Sequence, residues 1–457
     1  MTTAPDDVSG AGSGNGPAPL SRLPRWAIPA ACLVLVVAAA VALTVVATSS
    51  KHGAAPAAPP GSDGATSTRV GSGPGAPTIE AVQALLERHG TDVLRRDRRA
   101  FLADLDTSAA ASSYRTAQAA MFDNLAGVPL TAWTYRVSAP VTGGGLSDAA
   151  ARYHAPVLIA RIAFSYQLRG FDAAPTAHDV WLTFVRRSGQ VRIAGDSDLI
   201  NQGGQSWHGL WDFGPVATFR GARCLVLSHP GYATRVAGLA AEVDAAVSAV
   251  TAMWGPGWAQ HVVVFVPDSA EELRAVLGGP PGTDIAAQTL GDPSNPHTGL
   301  RVVLDPSGQA QLSLLGLRIV LRHEITHVAA WTVTSDAMPT WLVEGFADYV
   351  GNLNSGQPVP VAAGELRALV RAGRVPSALP TSTDFAIAGS ALPRVYEQAW
   401  LACRLIAALA GPAGLVRLYH LVAAPGASVG DALRTVVRMS LAQFTARWRQ
   451  YLRTELA

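Results

Sequence analysis

Two histidines four residues apart with an acid between them, His323-Glu324-Ile325-Thr326-His327, are the side chains in this chain best suited to chemistry. On a helix, positions i and i+4 lie one turn apart on the same face. Both imidazoles can therefore bind one metal ion. Glu324 leans to the same side, placed to take a proton from a metal-bound water. Two imidazoles leave zinc short of a third protein ligand, and the pattern of two His plus one Glu needs a carboxylate from another element. Glu344 lies 17 residues after His327, enough for one helix to end, turn and return antiparallel. Asp336, nine residues past His327, is a rival ligand and ranks below Glu344. Asp348 stands one turn beyond Glu344, where it could accept the free ring N–H of a ligand His and fix its tautomer. The helix dipole alone also favours an acid there, so both readings of Asp348 stand.

The elements that must position these groups are legible nearby. Ser313 is an N-cap for an apolar run that leads into His323. Thr340 is the expected cap of a second helix carrying Glu344, with Trp341, Leu342 and Phe346 on its core side.

The pairing of H-E-x-x-H with Trp341-Leu-Val-Glu344-Gly-Phe-Ala resembles the gluzincin zinc metallopeptidases, and within them the compact bacterial peptidase MA-like domains. The likeness is sharp over about 300–350 and weaker across 219–455. It implies His323, His327 and Glu344 as Zn2+ ligands, Glu324 as general base and Asp348 as the acid behind a ligand. It implies a small mixed sheet followed by a helical part. Such enzymes supply a Tyr or His to the oxyanion from downstream helices; Tyr396 is the candidate here, against a Tyr packed in its helix, and His420 is a poorer one. The strand before the H-E-x-x-H helix, Leu300–Leu304, is by the same resemblance an edge that pairs with extended peptide. The G-x-M-E-N signature of the alanyl aminopeptidases is missing, so their amino-terminal specificity does not carry over.

Composition sets the setting. The chain has 457 residues, a net charge of +2 and 15% charged residues, with its Arg scattered, which argues against nucleic-acid partners. Trp26 to Ala47 is a run of 22 uncharged residues, spanning about 33 Å at 1.5 Å per residue. It reads as a single transmembrane helix rather than the shorter core of a cleaved signal. Arg22 and Arg25 precede it and Lys51 alone follows, which keeps the amino terminus cytoplasmic and the remainder extracytoplasmic. No other segment reads as long and apolar enough to span. Cys224 and Cys403 sit in apolar runs and are read as buried thiols, with a disulfide as the alternative.

The organisation is α+β in several parts. Residues 1–25 read as a disordered tail, 26–47 as the membrane helix and 48–77 as a flexible linker. Residues 78–212 read as an accessory domain: a helix capped by Thr78, a second over Thr107–Leu125, then strands Trp133–Val137, Val157–Leu168, Val180–Val185 and Val191–Ile193. Helices followed by a strand meander resemble the cone-like nuclear-transport-factor folds. His154, Tyr166, His178 and Trp181 read there as packing or surface. From 213 to 457 the metallopeptidase-like part begins, with strands Phe219–Leu227 and Val262–Val266 flanking a helix over 234–254. Helices follow Glu344 at about 361–371, 393–410, 413–422, 426–438 and 440–454. The expected function is a membrane-anchored extracytoplasmic zinc metallopeptidase acting on peptide or protein. The competing class is a non-catalytic, envelope-tethered binding ectodomain that retains a zinc site.

Overall fold

Periodicity and capping chemistry decide the first elements. The computed structural model describes residues 75–279, 286–291 and 298–457; the expected tail, membrane helix and nearly all of the linker lie outside them. α1 (Ile79–Arg95) starts where Thr78 accepts the Ala81 N–H, and it buries Val82, Leu85, Leu86 and Val93. The stretch read as one helix over Thr107–Leu125 is a 3-10 turn at Ala109–Ala111 followed by α3 (Ser112–Asn124), while α2 (Arg98–Ala103) is too short to show a period. Then come β1 (Leu130–Pro140), α4 (Gly145–Tyr153), β2 (Val157–Leu168), β3 (Thr176–Arg187) and β4 (Gln190–Gly195). The four strands form an antiparallel sheet in the order β1-β2-β3-β4. Ser188 and Gly189, at φ of 49° and 79°, make the β3–β4 hairpin turn, whose twist matches the strands it joins.

A second sheet carries the rest. Its strands are β5 (Ala217–Arg220), β6 (Cys224–Ser228), β7 (Val262–Val266), β8 (Ala287–Leu290) and β9 (Arg301–Leu304). Their order is β5-β6-β7-β9-β8, with β6/β7 and β7/β9 parallel and both outer pairs antiparallel. The run Phe219–Leu227 is thus two strands, because the Asp244 carboxylate accepts the Ala222 and Arg223 N–H groups and turns the chain between them. Leu300–Leu304 is also corrected: β9 lies inside the sheet, and the edge is β8, whose four residues are too few to show alternation. α5 (Ala233–Trp254), α6 (Ala270–Leu277) and α7 (Pro306–Gln311) connect the strands.

The central strands are apolar throughout because both faces are covered. Val226, Val262, Val264, Val302 and Leu304 face the core formed with the helices described below. Their alternating neighbours Leu225, Leu227, Val263, Phe265 and Val303 pack with Phe164, Tyr166, Trp207 and Trp211 of the 78–212 segment. One sheet therefore closes two cores. Arg301, on the same strand face as Val303, reaches across: its Nη1 and Nη2 each lie 2.8 Å from an oxygen of Asp172, and both side chains are buried. Removing one partner leaves a bare charge in the core, so Arg301→Met should cost about 3–5 kcal/mol in denaturant unfolding. Arg301→Met with Asp172→Leu should recover most of that loss.

A second pin is pH-sensitive. His229 Nδ1 lies 2.9 Å from the Pro215 carbonyl, which can only accept, so Nδ1 carries hydrogen; Nε2 lies 2.7 Å from Glu272 Oε1. The hydrogen bond to Glu272 and that to Pro215 outweigh burial and hold the imidazole above its ordinary value of 6.5. A raised folded value means that this stabilisation is complete below about 6.5 and is lost as pH rises through the folded value. Unfolding free energy measured by urea from pH 6 upward should fall in that window, and His229→Gln should flatten the fall.

The helical part comprises α8 (Leu314–Ala330), α9 (Thr340–Asn352), α10 (Val359–Ala362), α11 (Gly364–Arg371), α12 (Ser382–Ile387), α13 (Leu392–Ala423), α14 (Val429–Val437) and α15 (Leu441–Glu455). α13 breaks at Gly411, φ 77°, which separates the two helices that the sequence places at 393–410 and 413–422. Contrary to the expectation of a single apolar span, Gly389–Ala423 is long and apolar enough to cross a membrane by length and composition. Its apolar residues, among them Val395, Leu401, Leu405 and Leu418, are spent on the core. With 44% of that apolar window buried, packing accounts for part of its hydropathy.

Candidate metal centre

α8 begins where Ser313 accepts the Gly316 N–H at 3.1 Å, and from His323 to Ala330 every residue is buried. Putting two imidazoles and a carboxylate on the dry side of a helix is costly unless partners meet them. α9 supplies those partners. Its N-cap is Pro339, not Thr340: Thr340 is the first helical residue and its hydroxyl donates to Ser382 at 2.7 Å. Two glycines let α9 press between its neighbours. A Cβ on Gly345 would meet the Ala399 carbonyl oxygen of α13 at 2.4 Å, and one on Gly351 would meet the Ile319 oxygen of α8 at 2.9 Å. The Gly that follows Glu344 is thus a close-approach residue, which brings the carboxylate within reach of α8.

Three donor atoms converge. His323 Nε2 and His327 Nε2 are 3.0 Å apart, and Glu344 Oε2 lies 3.4 and 3.6 Å from them. These residues form a group able to hold a metal ion. Bonds of about 2.0–2.2 Å at a tetrahedral angle put donor atoms roughly 3.3–3.6 Å apart, which the two carboxylate distances match, while the imidazole pair sits somewhat closer. Glu344 Oε2 is buried with no hydrogen-bond partner, an orphaned acceptor at one corner of the triangle. Asp348 contacts one of these imidazoles. Its Oδ1 lies 2.8 Å from His323 Nδ1, so that nitrogen is the donor and Nε2 is the one turned to the triangle.

The charges around this triangle favour a cation. Burial works against a proton on His323, yet the charge and hydrogen bond of Asp348, with Glu344 and Glu324, hold it well above the ordinary range. Burial would likewise raise Glu344, but His327 and His323 hold it below its usual value. Three carboxylates therefore face two imidazoles in one dry volume, an excess that a divalent ion would balance.

Glu324 is wholly buried. Its Oε2 lies 2.7 Å from the Thr289 hydroxyl of β8, while Oε1 has no partner. The carboxylate is fixed by one oxygen and open at the other. Thr289 was not among the residues the sequence marks, since a four-residue strand carries no readable pattern. No family model matches the chain, and no curated protein matches it significantly.

The remaining sequence candidates separate cleanly. Tyr396 is buried at the site, its ring centroid 6.5 Å from that of His323, and it hydrogen-bonds with Glu344. Burial and the surrounding carboxylates push its hydroxyl far above 10, so it stays a donor. Asp336 is exposed and outside the donor group. His420 is exposed and stacks on Trp254 at 4.7 Å. Cys224 and Cys403 are free, buried thiols. Replacing Asp348 by Asn keeps an acceptor for His323 Nδ1 but removes the charge; zinc affinity, read by competition with a chromophoric chelator, should fall about 10–100-fold.

Proposed function

We propose that this chain is a zinc metallopeptidase, tethered by the 26–47 segment and facing outward from the membrane. The observation that carries the proposal is the unpartnered Glu324 Oε1 beside the triangle of His323 Nε2, His327 Nε2 and Glu344 Oε2. Zinc, when bound by these three residues, supplies a Lewis acid able to activate water at neutral pH. The chain's own groups do the remainder. Glu324 accepts a proton at Oε1 and delivers it to the leaving amine nitrogen, while Thr289 keeps Oε2 from swinging away. Asp348 holds the His323 ring in one tautomer. Tyr396, kept protonated, is the donor for the carbonyl oxygen that gains charge as the amide is attacked, its one O–H turning from Glu344 to that oxygen. β8, the outermost strand of the sheet among the described residues, carries Thr289, so extended peptide pairing along it would set its backbone near Glu324.

The test is to incubate the detergent-solubilised full chain with a proteome-derived peptide library, with and without a zinc chelator. Chelator-sensitive, zinc-restored cleavage is expected. Zinc bound at one per chain with no cleavage of any peptide would favour the tethered binding ectodomain instead.

A further inference from the structure

The cone formed by α1, α3 and the four-stranded sheet is hollow. Its cavity volume is about 50 Å³, and it opens to solvent. The walls are aromatic: Trp133, Tyr135, Phe164, Trp207 and Trp211. They brace one another, with Trp133 against Phe164 at 4.7 Å and the Trp133 indole N–H donated to the Tyr135 oxygen at 2.8 Å. That bond leaves the Tyr135 O–H to donate elsewhere.

Polar groups converge on the same hollow: Tyr114, Asp196, His208 and Asp212. His208 Nδ1 is 3.9 Å from Asp212 Oδ1, while Asp212 Oδ2 accepts the Gly209 N–H at 2.8 Å. Those contacts match one acid to one imidazole and leave Asp196 over. Among the described residues no Arg pairs with Asp196, and no Arg lines the hollow. His89, the other lining imidazole, is deprived of its charge by burial. Burial pushes the Asp196 carboxyl up and the charge of Asp212 adds to it, only partly offset by His208, the single imidazole that two carboxylates share, so a further positive charge in the hollow would relieve the strain. A surplus carboxylate among the faces of aromatic rings matches one ligand chemistry above others, because ring faces and acids both attract cations.

We propose that this hollow binds a small organic cation of the alkylammonium class, with Asp196 as its counter-ion and Trp and Tyr faces around its methyl or methylene groups. The site is separate from the metal centre, which is built on α8 and α9, and it stands whether or not that centre cleaves peptides. The probe is tetramethylammonium chloride, titrated calorimetrically into the full chain at constant ionic strength, with tert-butanol as the uncharged counterpart of similar shape. Saturable one-to-one binding of the ammonium alone is expected, weakened about tenfold or more by Asp196→Asn. Absent saturation, equal uptake of tert-butanol, or unchanged affinity in Asp196→Asn each overturns the proposal. Should Asp196→Asn lose its cooperative unfolding transition, Asp212→Asn is read in its place against the same thresholds.

Discussion

Glu324→Gln should keep one zinc per chain and lower kcat/KM for a cleaved peptide by about 10³-fold, within the roughly 10²–10⁴ that general acid–base catalysis contributes. The substitution is nearly isosteric, and a Gln carbonyl still accepts from the Thr289 hydroxyl, now 2.7 Å from Oε2. The metal donors are untouched. What disappears is the capacity of the second oxygen, partnerless in the buried site, to take and return a proton. Metal content by atomic emission and turnover measured on the same sample separate the two effects. Full turnover in Glu324→Gln would remove Glu324 from the chemistry; loss of zinc along with activity would mean that the variant had disturbed the ligands.

Glu344→Ala should lose zinc outright. The carboxylate is the only acid among the three converging donors, and it lies 3.4 and 3.6 Å from the two imidazole nitrogens. Structural zinc in zinc-finger peptides is worth about 10–16 kcal/mol, and on that scale removing one of three protein ligands costs several kcal/mol and more than about 100-fold in affinity. The Tyr396 hydroxyl also loses its hydrogen-bond partner. Dialysed Glu344→Ala should carry only a trace of zinc where the parent carries about one per chain. Stoichiometric zinc in that variant would overturn the ligand assignment. Glu344→Asp, which keeps the charge on a shorter stem, should retain weakened binding.

Much of this site is legible before folding because its members obey helical spacing. His323 and His327 are one turn apart, Glu344 and Asp348 another, and the contact between the pairs, Asp348 Oδ1 to His323 Nδ1, follows once the helices are antiparallel. Thr289 was hidden for the opposite reason: its partnership with Glu324 crosses 35 residues and rests on a strand too short for a period to emerge. Gly345 and Gly351 stand out in sequence as glycines inside a helix, but only the carbonyls that press on them explain their presence. The apolar runs of β6, β7 and β9 mark strands covered on both faces without saying by what. That the 78–212 segment forms one of those covers, pinned by Arg301 and Asp172, is a property of tertiary packing. The hollow of the 78–212 segment is illegible for the same cause, since Asp196, His208 and Asp212 meet aromatic residues distant in the chain.

The most direct measurement is diffraction from crystals of the zinc-loaded protein on either side of the zinc absorption edge. One anomalous peak is expected about 2.0–2.2 Å from His323 Nε2, His327 Nε2 and a Glu344 oxygen, with Glu324 beside it but outside bonding distance. A peak that omits Glu344, or no peak between α8 and α9 in protein that carries zinc, would contradict the assignment and the hydrolytic chemistry built on it.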